Sequence, residues 1–95
     1  MKKLNILIAD DHTLIRDSLT QIAEKQDFTN SVETVKNGNE ALQRLSANTF
    51  DILITDVAMP DMDGIQLSKK VRKQYPEIKI LVVTHAQRSS FSAFF

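Results

Sequence analysis

Ninety-five residues suffice for one domain with a thin core, and 42% hydrophobic with 25% charged residues is ordinary for a folded soluble chain. Twelve basic residues balance twelve acidic ones, so no net field draws the chain to nucleic acid or an anionic membrane. The absence of cysteine excludes disulfides and thiolate metal sites and fits a reducing, cytoplasmic setting. The opening "MKKLNILIADD" has only four consecutive strongly apolar residues, Ile6 to Ala9, before two aspartates. A signal peptide needs ~7–15, and no run approaches the ~20 of a membrane span.

The first apolar run, "LNILIA" (4–9), lacks alternation and ends at Asp10-Asp11. Such runs suit strands buried on both faces of a parallel sheet. Residues 13–25 then place Leu14, Ile15, Leu19, Ile22 and Ala23 on one stripe of a helix, opposite Arg16, Asp17, Gln21 and Glu24. A weaker strand is predicted at 31–35 and a short helix at 39–46 with Ala41, Leu42 and Leu45 inward. A third strand, 50–55, ends at Asp56. Next comes "MPDMDG", in which Asp61 and Asp63 read as turn and cap residues, Met59 and Met62 as packing, and Gly64 as a positive-φ glycine. The helix over 65–74 turns Leu67 and Val71 inward. Its Lys69, Lys70, Arg72 and Lys73 form a solvated face, and Tyr75-Pro76 stops it. A fourth strand, 78–83, ends at Thr84.

The order β-α-β-α-β-α-β predicts an α/β fold: a parallel sheet with helices on both faces. In such sheets ligands bind beyond the carboxyl ends of the strands, where the winding direction switches. If the first and third strands are neighbours, Asp10, Asp11 and Asp56 share one small volume. Three carboxylates cannot all stay ionised there without a counterion. A hard divalent cation such as Mg²⁺ solves this and often bridges to phosphate. The structural alternative keeps one of Asp10, Asp11 and Thr13 as a helix cap and Asp56 as a turn residue. His12 reads as a solvent-facing residue at the helix start, and His85 has no partner suggesting a metal or a base.

"ILIADDHTLIRDSL", "NGNEALQRL", "FDILITDVAMPDMDGIQL" and "IKILVVT" together resemble the receiver domains of two-component response regulators across residues 4–84. "ADDHTLIRDSL" is most similar to the NarL/FixJ subfamily, whose members carry a LuxR-type helix-turn-helix output. The resemblance implies a flavodoxin-like (CheY-like) doubly wound parallel sheet. It makes Asp56 the phosphoacceptor, served by a sensor histidine kinase. Asp10, Asp11, Asp56 and the backbone carbonyl of Ala58 become Mg²⁺ ligands, and Thr84 contacts the phosphoryl group as the switch hydroxyl. An aspartate nucleophile of this kind takes the phosphoryl group as a mixed anhydride. The expected module is a cytoplasmic phosphoacceptor and not an enzyme in its own right.

Two rivals draw on this stretch of the chain, one on Asp61, Asp63 and Gly64 and the other on Asp56 as nucleophile. An EF-hand fails because its first and twelfth loop positions fall on Met59 and Lys70. A haloacid-dehalogenase-like phosphohydrolase needs a second Asp two residues after the nucleophile, where Ala58 stands. A third reading is an interaction or dimerisation module without phosphorelay activity.

The tail "HAQRSSFSAFF" (85–95) departs from the family pattern. About four strands are expected, with the last α/β unit missing and no strand in the tail. No lysine follows Lys79, so the family's phosphoryl-binding lysine has no counterpart, and Arg88 is a poor substitute. A phosphorylated state would lack a charge-assisted contact of roughly 1.5–3 kcal/mol, which impairs readout. None of Phe91, Phe94 and Phe95 is assigned the family's aromatic switch role. The fourth strand is expected to be an open edge, which predicts a homo-oligomer with the Phe-rich tail covering the exposed side. No nucleic-acid contact is expected from residues 1–95.

Overall fold

A computed structural model describes residues 2–84 and the backbone of 91–94. Strand β1 (Leu4–Ala9) pairs in parallel on one side with β2 (Thr29–Val35) and on the other with β3 (Ile52–Asp56). β3 in turn pairs in parallel with β4 (Lys79–Thr84). Helices α1 (Thr13–Glu24), α2 (Gly38–Ala47) and α3 (Gly64–Gln74) supply the crossovers. The four parallel strands and their helices form the doubly wound architecture expected of the chain. Among the described residues, no helix is long and apolar enough to cross a membrane.

A fifth strand, β5 (Phe91–Phe94), adds antiparallel to β4, pairing Leu81 with Phe94 through to Thr84 with Phe91. The sheet order is therefore β2-β1-β3-β4-β5. This corrects two expectations. The tail does contain a strand, and the β4 edge is occupied over Leu81–Thr84. Without β-branched residues, Phe91–Phe94 has a modest strand preference, but an edge of unpaired N–H and C=O groups supplies the ladder. His85 and Arg88, singled out above, lie outside the described residues.

The two faces of the sheet are covered unequally. On one, α2 and α3 enclose the larger cluster, built around Leu7, Leu53, Leu67, Val71, Ile80 and Val82. On the other, α1 is the one helix among the described residues, packing Leu19 and Ala23 over Ile6, Ile8 and Ile54. Beside α1 runs an apolar groove of about 520 Å³, floored by Ile6, Ile52, Ile54, Leu81 and Val83. Ile22 and Phe28, which line it, are 60% and 39% exposed.

Asp63 caps α3 in a reciprocal box: its carboxylate accepts from Gln66 N at 2.8 Å, and its own N–H donates to Gln66 Oε1 at 3.0 Å. The left-handed residue of the preceding turn is Asp61, at φ 69°. Gly64, expected at positive φ, does not adopt it. Its reason is close approach: a Cβ there would overlap the Asp56 carbonyl oxygen and lie 3.1 Å from Val57 Cα.

Candidate functional site

Register assembles the site. Ala9 of β1 faces Thr55 of β3, so the residue after each, Asp10 just past β1 and Asp56 at the end of β3, comes at the same end of the sheet. This is the crevice where the winding direction changes. Both side chains are buried, at 0% and 2% exposure, whereas Asp11 is partly open. Carboxylate oxygens of Asp10, Asp11 and Asp56 lie with a ring nitrogen of His12 in a set whose members are all within 4.8 Å of one another.

Backbone contacts fix these carboxylates. The Asp10 N–H donates to Val35 O at 3.1 Å, tying the end of β1 to β2. Arg16, one turn into α1, donates from Nη1 to the Asp10 carbonyl at 2.7 Å. Beside them, the Val57 N–H donates to Val83 O at 3.0 Å and the Gly64 N–H to Val57 O at 2.8 Å, so β4 and α3 jointly hold the segment after Asp56. The Thr55 hydroxyl donates to the Asp56 carbonyl at 3.0 Å from a fully buried position.

His12 differs from its expected solvent-facing role. Its side chain is half exposed, but Nδ1 lies 3.1 Å from Asp10 Oδ1, 3.0 Å from Asp11 Oδ1 and 3.9 Å from Asp56 Oδ2. It also occupies the N-cap of α1, in extended conformation and with no side-chain capping bond. The cap expected from Asp10, Asp11 or Thr13 is thus absent. Instead Asp10 Oδ1 accepts the His12 N–H at 2.8 Å, a bond that bends the chain just before the helix and turns the imidazole onto the carboxylates. The Asp10 hydrogen bond, reinforced by the charges of Asp11, Asp10 and Asp56, raises the imidazole pKa above its ordinary 6.5. Neither Arg16 nor His12 was assigned to the site from the sequence. The "DDH…R" spacing, with Arg16 four residues after His12, is a signal that could have found them.

The other expected residues surround this cluster. Ala58 lies in the exposed loop two residues past Asp56. Thr84 ends β4, one residue beyond the Val83 that faces Asp56 across the β3–β4 ladder. An oxygen-rich set of three convergent carboxylates suits a hard divalent cation, and no thiolate competes for it.

The response regulator receiver domain family matches residues 6–94. The chain is 38% identical over 81 residues to the uncharacterized transcriptional regulatory protein YhcZ of Bacillus subtilis, covering 85% of this chain and 38% of that protein. It is 37% identical over 79 residues to the response regulator receiver protein CpdR of Brucella abortus, covering 83% of this chain and 64% of that one. Among solved structures, the isolated REC domain of Salmonella RcsB, with the phosphomimetic BeF₃⁻, superposes with a TM-score of 0.82. There the identity is 28%, covering 92% of this chain and 65% of that one. Thermotoga maritima TrrA, a response regulator in complex with Mg²⁺-BeF, gives a TM-score of 0.78 at 31% identity, covering 88% of this chain and 70% of that one. The chain thus spans well under half of the regulator YhcZ and most of a receiver-sized structure such as TrrA. With the family matching nearly the whole chain and the carboxylates gathered where the winding reverses, the protein belongs to the response regulator receiver domain family.

Proposed function

We propose that the chain is a phosphoacceptor in a two-component relay, taking a phosphoryl group from a sensor histidine kinase onto Asp56. The observation that carries this reading is the setting of Asp56: at the end of a central strand, 2% exposed, and grouped with Asp10 and Asp11. Asp10, Asp11, Asp56 and the Ala58 carbonyl would hold Mg²⁺, which supplies charge neutralisation on the transferring group. An Asp56 carboxylate oxygen attacks phosphorus, forming the O–P bond as the N–P bond of the phosphohistidine breaks. The leaving imidazole takes its proton from solvent. The Val57 and Gly64 backbone bonds hold the nucleophile's segment in place during the exchange. Thr84, at the neighbouring strand end, would supply the hydroxyl that reads the product.

The test is intact mass after incubation with Mg²⁺ and a small phosphodonor. One phosphate is expected on the parent chain and none on Asp56→Asn. Parent chain that binds Mg²⁺ and gains no mass would sink the phosphoacceptor reading.

A second reading, self-association of the chain, draws on the one-helix face of the sheet. The expected open β4 edge is occupied over Leu81–Thr84, so the groove beside α1 takes its place as the surface that would meet another copy.

A further inference from the structure

We infer that the hollow at the amino end of the sheet, opposite the acidic centre, binds a small organic cation, an apolar body ending in an ammonium group. The hollow encloses about 580 Å³ between the ends of α2 and α3 and the segments that lead into β3 and β4. That volume lies in the range of small-molecule sites. Its floor is core: Leu45, Phe50 and Ile78 are 4%, 4% and 7% exposed, and Tyr75 packs against the same cluster. An apolar body would therefore rest on side chains already fixed in place.

The walls are braced as well. In the turn from α3 to β4, Arg72 Nη1 donates to Pro76 O and to Ile78 O, each at 2.8 Å, and the Ile78 N–H donates to Tyr75 O at 3.2 Å. Across the hollow, the Asn48 N–H closes α2 onto Arg44 O at 2.9 Å, and the Asp51 backbone is bonded to Asn5 and Lys79. A ligand thus meets a preformed surface, which keeps the ordering cost of binding low. Charge then selects its sign. The ionisable lining residues are Lys2, Asp51 and Glu77, two carboxylates against one ammonium. Both α2 and α3 end here, at the caps Asn48 and Tyr75, and a helix C-terminus carries roughly half a negative charge. Lys2 reaches in from solvent, 77% exposed, to pair with Asp51 at 3.1 Å. Asp51 keeps that partner and the Asn5 N–H, so it acts on a ligand through its field. Glu77 forms no ion pair among the described residues and is the carboxylate that meets the cation.

The experiment titrates the full chain with cyclohexylmethylammonium and, separately, with cyclohexylmethanol, which has the same apolar body without the charge. The chain has one tyrosine, Tyr75, and no tryptophan, so its intrinsic fluorescence reports on this hollow alone. Backbone amide NMR shifts locate the bound probe. The expected result is a saturable change in Tyr75 emission with a Kd of about 1 mM or tighter for the ammonium, and binding of the alcohol weaker by about tenfold or more. The amide shifts should cluster at residues 45–51 and 74–78. Glu77→Lys, a change at an exposed position, should weaken the ammonium by about fivefold or more and leave phosphodonor labelling of Asp56 unchanged. Equal binding of alcohol and ammonium overturns the choice of a cation, and unchanged affinity in Glu77→Lys overturns the role of Glu77. Shifts confined to Asp10, Asp11 and their neighbours, or no saturable change up to about 10 mM, overturn the site itself. The two titrations of the parent decide the matter even if the variant folds poorly.

Discussion

Gly64 presses its Cα against the backbone of Asp56: any Cβ at residue 64 would overlap the Asp56 carbonyl oxygen, and the Gly64 N–H meanwhile donates to Val57 O at 2.8 Å. The first turn of α3 and the end of β3 are thus one packed unit, and the glycine that starts the helix sets where the acidic centre's last carboxylate sits. A Gly64→Ala change cannot be absorbed by a flexible side chain, because the obstructing atoms are main chain. Overpacking of this kind costs about 1–3 kcal/mol. The variant should unfold at lower urea concentration and lose phosphodonor labelling at Asp56. Labelling retained at parental yield would show that the contact does not position the nucleophile. At Gly38 the atom met is the Met62 sulfur, the mobile end of a side chain, and Gly38→Ala should be much milder.

The same residue shows what was legible in the sequence. That a glycine stands between "PDMD" and the third helix is visible at once, but its purpose was misassigned to backbone sign, because close approach between segments cannot be read along a chain. Asp10, Asp11 and Asp56 were legible for a simpler reason: buried parallel strands are apolar throughout, so carboxylates at their carboxyl ends stand out and the topology brings them together. His12 was hidden because its role depends on the direction of one side chain, set by the bond from its own N–H to Asp10 Oδ1. β5 was hidden because Phe91–Phe94 becomes a strand through the β4 edge it joins and only weakly through its own preference.

Asp51 predicts how stability falls in acid. Its Oδ2 accepts the Asn5 N–H at 2.8 Å, its N–H donates to Asn5 O at 2.8 Å, and its carbonyl accepts from Lys79 N at 3.0 Å. The residue therefore ties the starts of β1, β3 and β4. The Asn5 bond, followed by Lys2 at 3.1 Å, lowers its carboxyl pKa below the ordinary value of 3.8. A lowered folded pKa stabilises the protein above the unfolded value, and the contribution is lost as pH falls through the folded one. Asp51→Asn should lower stability at pH 7 by about 1 kcal/mol, allowing for solvent around the Lys2 pair. It should also flatten the acid limb below pH ~4. Denaturant titrations of both proteins at pH 7 and pH 3 provide the check; parallel acid limbs would refute it.

His12 makes an opposite prediction on the alkaline side. The Asp10 bond raises its pKa above 6.5 in the metal-free protein. A raised folded pKa contributes stability that is fully present below the unfolded value and disappears as pH rises through the folded one. NMR titration of the ring protons should give a midpoint above 6.5, with the His12 signal identified by its loss in His12→Gln. Asp10→Asn should lower that midpoint more than Asp11→Asn, because the Asp10 hydrogen bond is the larger cause. Equal shifts from the two variants would assign the effect to general negative charge instead.

The groove beside α1 predicts self-association. Its floor of Ile6, Ile52, Ile54, Leu81 and Val83 is almost wholly apolar, and Ile22 and Phe28 border it at 60% and 39% exposure. Contiguous apolar surface on the face that, among the described residues, one helix covers where the other has two would favour association. The balanced charge, twelve basic against twelve acidic residues, puts no net repulsion between copies. Light scattering of the parent at tens of micromolar should therefore show dimer or larger species that dissociate on dilution, and a hydrophobic dye should report the exposed face. Ile22→Glu paired with Phe28→Glu should weaken association by about tenfold or more, because charge at the rim must be desolvated when two copies meet. Neither side chain belongs to the buried core, so both proteins should keep the same helical circular dichroism. Parent chain that stays monomeric throughout that range overturns the self-association reading and leaves the chemistry at Asp56 untouched.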